Sequence, residues 1–278
     1  MPKTTRLILT GVPPYDQSYV INDNGKTVMA GCGPVAALML LAYYDRAFGY
    51  HRLVKSVPET KTGMPEELIL KLRAEMKTSN FELDKDDVQT YGLTLPPAFH
   101  SGLKSYVKQY YDADVHTKAS TGLNTLEGVF EKSKELLDEG LPHVLLLDYD
   151  DDVMPGIGGL FPDHDVVVVG YSINDGRQNL IVNNGLGANF QVVDMTDKAI
   201  KPARIYWLEM KDPADGPKDG HQIGPEEHYT WTTVDGEKRL EPTILKEGSS
   251  TEFFSWRPAD KSVVRAPNSD VSVSRWYD

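Results

Sequence analysis

The sequence predicts an α+β protein, with a mainly helical first half followed by antiparallel strands. Two observations predict this class. Residues 33–137 contain four segments with helical patterns, whereas short apolar runs bounded by turn residues, typical of strands, follow from residue 143 onward. Helices that precede the strands, rather than alternating with them, favour α+β over α/β.

The helical half begins after a turn-rich stretch. Residues 1–31 contain many turn formers and are predicted to be loops rather than core elements. The first helix, 33–46, is apolar on nearly every face, which is typical of a helix buried on all sides, and Pro34 suits its first turn. Three amphipathic helices are predicted to cover it, at residues 65–76, 102–111 and 126–137.

The strands of the second half are predicted from apolar runs at residues 143–150, 165–172, 179–184 and 203–210. Asp175 and Gly176 favour a hairpin between the second and third of these runs. Residues 1–210 are predicted to form the main domain. Residues 211–278, which are polar and rich in proline, glycine and aspartate, are predicted to form a small β-rich C-terminal extension.

Composition excludes several classes of function. The 278 residues include 41 acidic and 29 basic ones, and the net charge of −12 disfavours nucleic acid and anionic lipid as partners. No apolar run approaches the roughly 18 residues of a membrane helix. The apolar run Leu7–Leu9 is too short for a signal peptide, so a cytoplasmic protein is expected. Oligomeric state is left open.

The single cysteine, Cys32, excludes an internal disulfide and any cysteine-cluster metal site. It stands at the start of the predicted buried helix, where unpaired backbone N–H groups and the helix dipole favour an anion. A thiolate is favoured there, and the same N–H groups could hold an oxyanion. Gly31 and Gly33 would let a substrate backbone approach closely.

A thiol nucleophile needs a base and a group that orients it, and three residues fit. His164 precedes a buried strand, Asn184 ends the next one, and Gln17 lies in an N-terminal loop. A loop of odd length centred on Asn174 would place His164 opposite Asn184. A two-residue turn would instead need a bulge to restore that pair. Structural roles for these residues, as loop and turn formers, remain open at this point.

These residues lie in a recognisable order of motifs: VPPYDQ, GCGPVAALMLLAYYDR, ELLDEGLPHVLLLDYD, HDVVVVGY and IVNNGLG. The order resembles that of the papain-like cysteine peptidases, and is most similar to the branch typified by bacteriocin-leader processing peptidases. The resemblance covers roughly residues 11–187.

The resemblance implies a helical lobe carrying Cys32, packed on an antiparallel β-barrel lobe carrying His164. It implies Cys32 as the nucleophile and His164 as its imidazolium partner. Gln17 would donate to the oxyanion hole, and Asn184 would orient His164. A peptide or protein would be the substrate, and no cofactor or metal is implied.

The sequence departs from the family pattern next to these residues. Asp163 and Asp165 flank His164, where they would either raise the imidazole pKa or face solvent. Leu186 stands where the family often has an aromatic residue that shields the bond between histidine and asparagine.

Three alternative functions remain open. A catalytically silent binding module could use the same fold. The same chemistry could act on other amides or transfer an acyl group. Residues 31–36 also fit the G-x-G-x-x-A pattern of a flavin- or dinucleotide-binding Rossmann oxidoreductase, although the strand before Gly31 is short and no acidic residue ends a second strand.

Overall fold

The computed structural model describes residues 4–9, 12–22, 24–54, 65–82, 90–119, 126–149, 164–185, 190–196, 200–215, 229–234, 237–242, 244–246, 253–256 and 263–266. The helices are α1 (Cys32–Phe48), α2 (Glu66–Glu75), α3 (Pro96–Lys108) and α4 (Leu126–Asp138). The first ten strands are β1 (Thr4–Leu9), β2 (Tyr19–Ile21), β3 (Thr27–Met29), β4 (Ser79–Glu82), β5 (Thr90–Leu93), β6 (Ala113–Ala119), β7 (His143–Tyr149), β8 (His164–Asn174), β9 (Arg177–Asn183) and β10 (Gln191–Asp194). They are followed by β11 (Ile200–Met210), β12 (Tyr229–Val234), β13 (Glu237–Pro242), β14 (Ile244–Lys246), β15 (Phe253–Trp256) and β16 (Val263–Ala266).

Helix α1 is the centre of the core, as its composition predicted. Every residue from Val35 to Tyr44 is buried, and the helix packs against β7 and β8 as well as against α2 and α3. Gly49, in the left-handed conformation with φ 78°, ends it. The observed α3 starts six residues before the predicted start at 102, because prolines at 96 and 97 are tolerated in a first helical turn.

The main sheet has the strand order β10-β9-β8-β7-β11-β6, and every pair of described strands is antiparallel. The α+β class is therefore confirmed. Parallel pairing around β3, which a Rossmann oxidoreductase would need, is not found, since β3 pairs only with β2 among these strands. Over the described residues the sheet is open, with β10 and β6 at its edges, so the barrel expected for this lobe is not closed.

The prediction of loops throughout residues 1–31 was wrong. Strand β1 joins the main sheet beside the second half of β8, and Leu7, Ile8 and Leu9 are buried. A three-residue apolar run is too short for a signal peptide but sufficient for a strand with partners on both edges. The second edge of β1 pairs with β14.

Strands β12 to β16 lie within residues 211–278, and two hairpins, β12-β13 and β15-β16, form there. The pairing of β14 with β1 links this region to the main sheet. The domain boundary at residue 210 stays a prediction. Among the helices of the described residues, none combines the length and the apolar composition that a membrane span requires.

The predicted hairpin between β8 and β9 is confirmed, and its geometry sets the register of the site. Asp175 and Gly176 have φ values of 48° and 80°, the two positive angles of a type I′ turn. A register shift between Val168 and Gly170 then brings Val167 opposite Asn183. Because of the bulge, each residue at the end of β9 pairs with a β8 residue one position nearer the start of that strand.

Candidate active site

Cys32 occupies the first position of α1, in a turn that glycine permits. Gly31, the residue before the helix, has φ 89°, a conformation that side chains other than glycine's rarely adopt. A Cβ added to Gly33 would lie 2.9 Å from Thr94 Oγ1 and 3.2 Å from Asp165 Oδ2. The glycines on either side of Cys32 therefore let the helix start press against β5 and β8.

The thiol of Cys32 contacts a carboxylate. Its Sγ lies 3.8 Å from Asp165 Oδ2, the hydrogen-bond partner of the thiol in this structure. Burial and, second, the negative charge of Asp165 raise the thiol pKa to about 12, although backbone N–H groups of Asp165, Gly33 and Cys32 act to lower it. At neutral pH the resting group is a neutral thiol.

His164 is buried and is held by a backbone group. Its Nε2 lies 2.6 Å from the main-chain carbonyl oxygen of Asn184. Because a carbonyl only accepts, Nε2 carries the proton in the neutral ring and Nδ1 is the acceptor. Burial lowers the pKa of His164, and the hydrogen bond to Asn184 opposes this effect.

Asn184 and Gln17 lie together beside this histidine. The Asn184 side-chain amide donates to Gln191 Oε1 at 2.8 Å, and the Gln17 backbone N–H donates to the Gly185 carbonyl oxygen at 2.7 Å. The Gln17 side chain is half-buried. Through the segment Asn184–Gly185, the Gln17 backbone is therefore held close to His164 at the start of β8.

This segment also packs on the first turns of α1. A Cβ added to Gly185 would lie 3.5 Å from both Val35 and Met39. The fold thus brings the predicted residues Gln17, His164 and Asn184 together near the helix start that carries Cys32. No hydrogen bond joins His164 to Cys32 in this structure: the sulfur contacts Asp165, and His164 Nε2 contacts the Asn184 carbonyl oxygen.

The model of the Peptidase_C39 like family matches residues 9–215, about three quarters of the chain, and spans all of these residues. The chain belongs to the Peptidase_C39 like family. The resemblance to papain-like cysteine peptidases is thereby confirmed, and family membership supports cysteine peptidase activity in general.

Among solved structures, a fragment of prointerpain A from Prevotella intermedia is similar to this chain. The TM-score is 0.44 at 13% sequence identity, over 72% of this chain and 71% of that one. A comparison with curated proteins gave no match.

Two residues of this family member's site were not assigned from the sequence. Asp165 was expected to act on the imidazole or to face solvent, but it is buried and faces the thiol. A charged residue inside a strand that is buried on both faces is the signal that could have singled it out. Arg73 shares the buried side of α2 with Ile69 and Leu72, a helical spacing that was readable in advance.

Arg73 holds the segment that leads into Cys32. Its Nη1 donates to the carbonyl oxygens of Met29 and Ala30, the latter at 3.0 Å, and its Nη2 donates to Asn80 Oδ1 at 2.7 Å. Planar guanidinium geometry satisfies the three acceptors at once. Arg73 therefore fixes the backbone immediately before Gly31.

Replacing Arg73 by methionine is expected to destabilise the protein by about 3 kcal/mol, because buried carbonyl oxygens lose their donors. Urea unfolding of Arg73→Met and Arg73→Lys measures the effect. The lysine variant keeps one charged donor and should lose less. A loss below about 0.5 kcal/mol in both variants, the range usual for surface changes, would contradict the role given to Arg73.

Two of the residues at which the sequence departs from the family pattern, Asp163 and Leu186, fall outside the described residues. Within the part of the chain that is described, no group of three or more potential ligands is arranged to hold a metal ion.

Proposed function

We propose that this protein is a cysteine hydrolase that cleaves peptide bonds, with Cys32 as nucleophile and His164 as its proton partner. The observation that carries the proposal is the hydrogen bond from His164 Nε2 to the Asn184 carbonyl oxygen. It selects the tautomer in which Nδ1 can accept a thiol proton, which is the acceptor that a cysteine–histidine mechanism needs.

The reaction follows from these roles. Cys32 gives its proton to His164 Nδ1 while Sγ bonds to the substrate carbonyl carbon, and the carbonyl π electrons move to oxygen. The Gln17 side-chain amide and the Cys32 N–H donate to that oxyanion. The C–N bond then breaks, and the imidazolium gives its proton to the leaving amine.

The second half of the reaction releases the enzyme. Water attacks the thioester carbon and gives a proton to His164. The C–S bond breaks, and the sulfur takes that proton back. Asn184 keeps the imidazole in place throughout, through its main-chain carbonyl.

A second candidate function is peptide binding without turnover. It is favoured by the contact between Cys32 and Asp165, which keeps the thiol protonated in the resting protein. A neutral thiol is a poor nucleophile.

A library of synthetic, unstructured decapeptides distinguishes these functions. We expect the protein to cleave a subset of the peptides at pH 5.5 or pH 8, as read by mass spectrometry. Alkylation by iodoacetamide should stop cleavage, and the presence of one cysteine in the chain makes the added mass assignable to Cys32.

Reversible blocking is the matched control. Methyl methanethiosulfonate should stop cleavage, and dithiothreitol should restore it, which shows that the fold is intact. Cleavage that continues after complete alkylation would refute Cys32 as nucleophile. Peptides that bind but are never cleaved would establish the binding module instead.

A further inference from the structure

Asp165 is a buried acid whose charge is poorly compensated. It is 4% exposed, and among the described residues its Oδ2 has only the Cys32 thiol, a weak donor, as side-chain hydrogen-bond partner. Its Oδ1 has no hydrogen-bond partner within the described chain. A buried carboxylate with so few donors favours its neutral form.

Among the residues that the structure describes, the groups packed around Asp165 do not supply a cation. Cys32 faces it from α1, and the charge of Asp165 contributes to a raised pKa of Tyr206 on β11. On β7 the residue opposite is Leu146, and His164, next along β8, directs its Nε2 to Asn184. Burial raises the pKa of Asp165 to about 7, and the Cys32 thiol only partly opposes this.

We propose that Asp165 controls the protonation of the nucleophile: while ionised it holds Cys32 as a neutral thiol, and Cys32 forms its thiolate when Asp165 carries the proton, so that the reactivity of Cys32 stops rising with pH once Asp165 ionises. This inference rests on the proposed function, since it concerns the same nucleophile. It makes Asp165 a positioning residue that acts through Cys32.

Counting the charges explains why an ionised Asp165 disfavours the thiolate of Cys32 and a protonated Asp165 permits it. With Asp165 ionised, transfer of the thiol proton to His164 would leave two anions 3.8 Å apart in a buried site. When Asp165 has taken up one proton, the same transfer leaves one thiolate beside an imidazolium. The carboxyl group can then donate its proton toward the sulfur instead of repelling it.

The test is the rate of alkylation of Cys32 by iodoacetamide between pH 4 and pH 11, followed by mass spectrometry. In the wild type we expect the rate to rise with pH, to level off near the ionisation of Asp165, and to rise again at high pH. The plateau arises because, above the pKa of Asp165, thiolate formation only moves the proton of Cys32 onto the Asp165 carboxylate. No proton is released to solvent, so the thiolate population no longer depends on pH.

Asp165→Asn should show one rise without a plateau, and alkylation at pH 8 at least tenfold faster than in the wild type. Asp175→Asn is the matched control. It removes the same charge from the turn at the other end of the same hairpin, and asparagine suits that turn, so its profile should match the wild type.

Three outcomes would overturn the inference. They are a wild-type profile with a single rise near the ordinary thiol pKa of about 8.5, an Asp165→Asn profile identical to that of the wild type, and slower alkylation in Asp165→Asn. The wild-type profile tests the inference without any variant. Failure of the proposed function is seen separately, as peptide cleavage that survives alkylation.

Discussion

Replacing His164 by alanine is expected to lower kcat/KM for peptide cleavage by about 1000-fold, the range lost when a general acid–base is removed. In the proposed mechanism, the variant lacks the Nδ1 that accepts the thiol proton and later protonates the leaving amine. The measurement is steady-state cleavage of a peptide found in the library screen. Circular dichroism and urea unfolding establish that the variant is folded.

Asn184→Ala is the comparison that makes this prediction specific. The group that holds His164 is the main-chain carbonyl of residue 184, which alanine keeps. The substitution removes the side-chain bond to Gln191, so a loss of about tenfold or less is expected, equivalent to one neutral hydrogen bond.

Gln191→Ala should reproduce the small effect of Asn184→Ala, because it breaks the same bond from the other side. A loss in Asn184→Ala as large as that in His164→Ala would show that the side chain, and not the backbone, orients the imidazole. A His164→Ala variant with wild-type activity would remove His164 from the mechanism.

Much of the surroundings of Cys32 could be predicted from the sequence, because local rules determine them. Glycine on both sides of Cys32 and the apolar run after it predict a buried helix with the thiol at its first turn. The Asp175–Gly176 pair predicts the hairpin that brings β8 and β9 together. These features depend on residues that are close in the chain.

The partner of the thiol depends on a register that the sequence does not reveal. A bulge between Val168 and Gly170 shifts the pairing of β8 with β9 by one residue. Adjacent residues of a strand point in different directions, so it is Asp165 that meets Cys32 while His164 meets the Asn184 backbone. One residue of register decides between these two arrangements.

The place of β1 was also beyond local rules. Its apolar segment, Leu7–Leu9, is short and lies among turn formers, so pattern alone favours a loop. Its partners, β8 and β14, lie more than 150 residues away along the chain. Long-range pairing of this kind stabilises a segment whose own propensity is weak.

Asp165→Asn is expected to change the pH dependence of stability, because the folded state raises the pKa of Asp165 from 3.8 to about 7. Well below pH 3.8 the carboxyl group is protonated in the folded and the unfolded wild type. Between those two values the folded protein keeps a proton that the unfolded chain has lost, so stability falls as the pH rises. At about 1.4 kcal/mol per unit of pKa, the loss is on the order of 4 kcal/mol.

Urea unfolding of the two proteins at pH 4, 5.5, 7 and 8.5 measures this directly. Other acids and histidines titrate in both proteins, so the informative quantity is the difference between their free energies of unfolding. That difference should move in favour of Asp165→Asn from pH 4 to pH 7 and stay constant above. In Asp175→Asn, whose residue lies in an exposed turn, the difference from wild type should be nearly flat. A flat difference for Asp165→Asn as well would mean that the buried carboxylate is stabilised as an anion, and the proposed control of Cys32 by Asp165 would then have no physical basis.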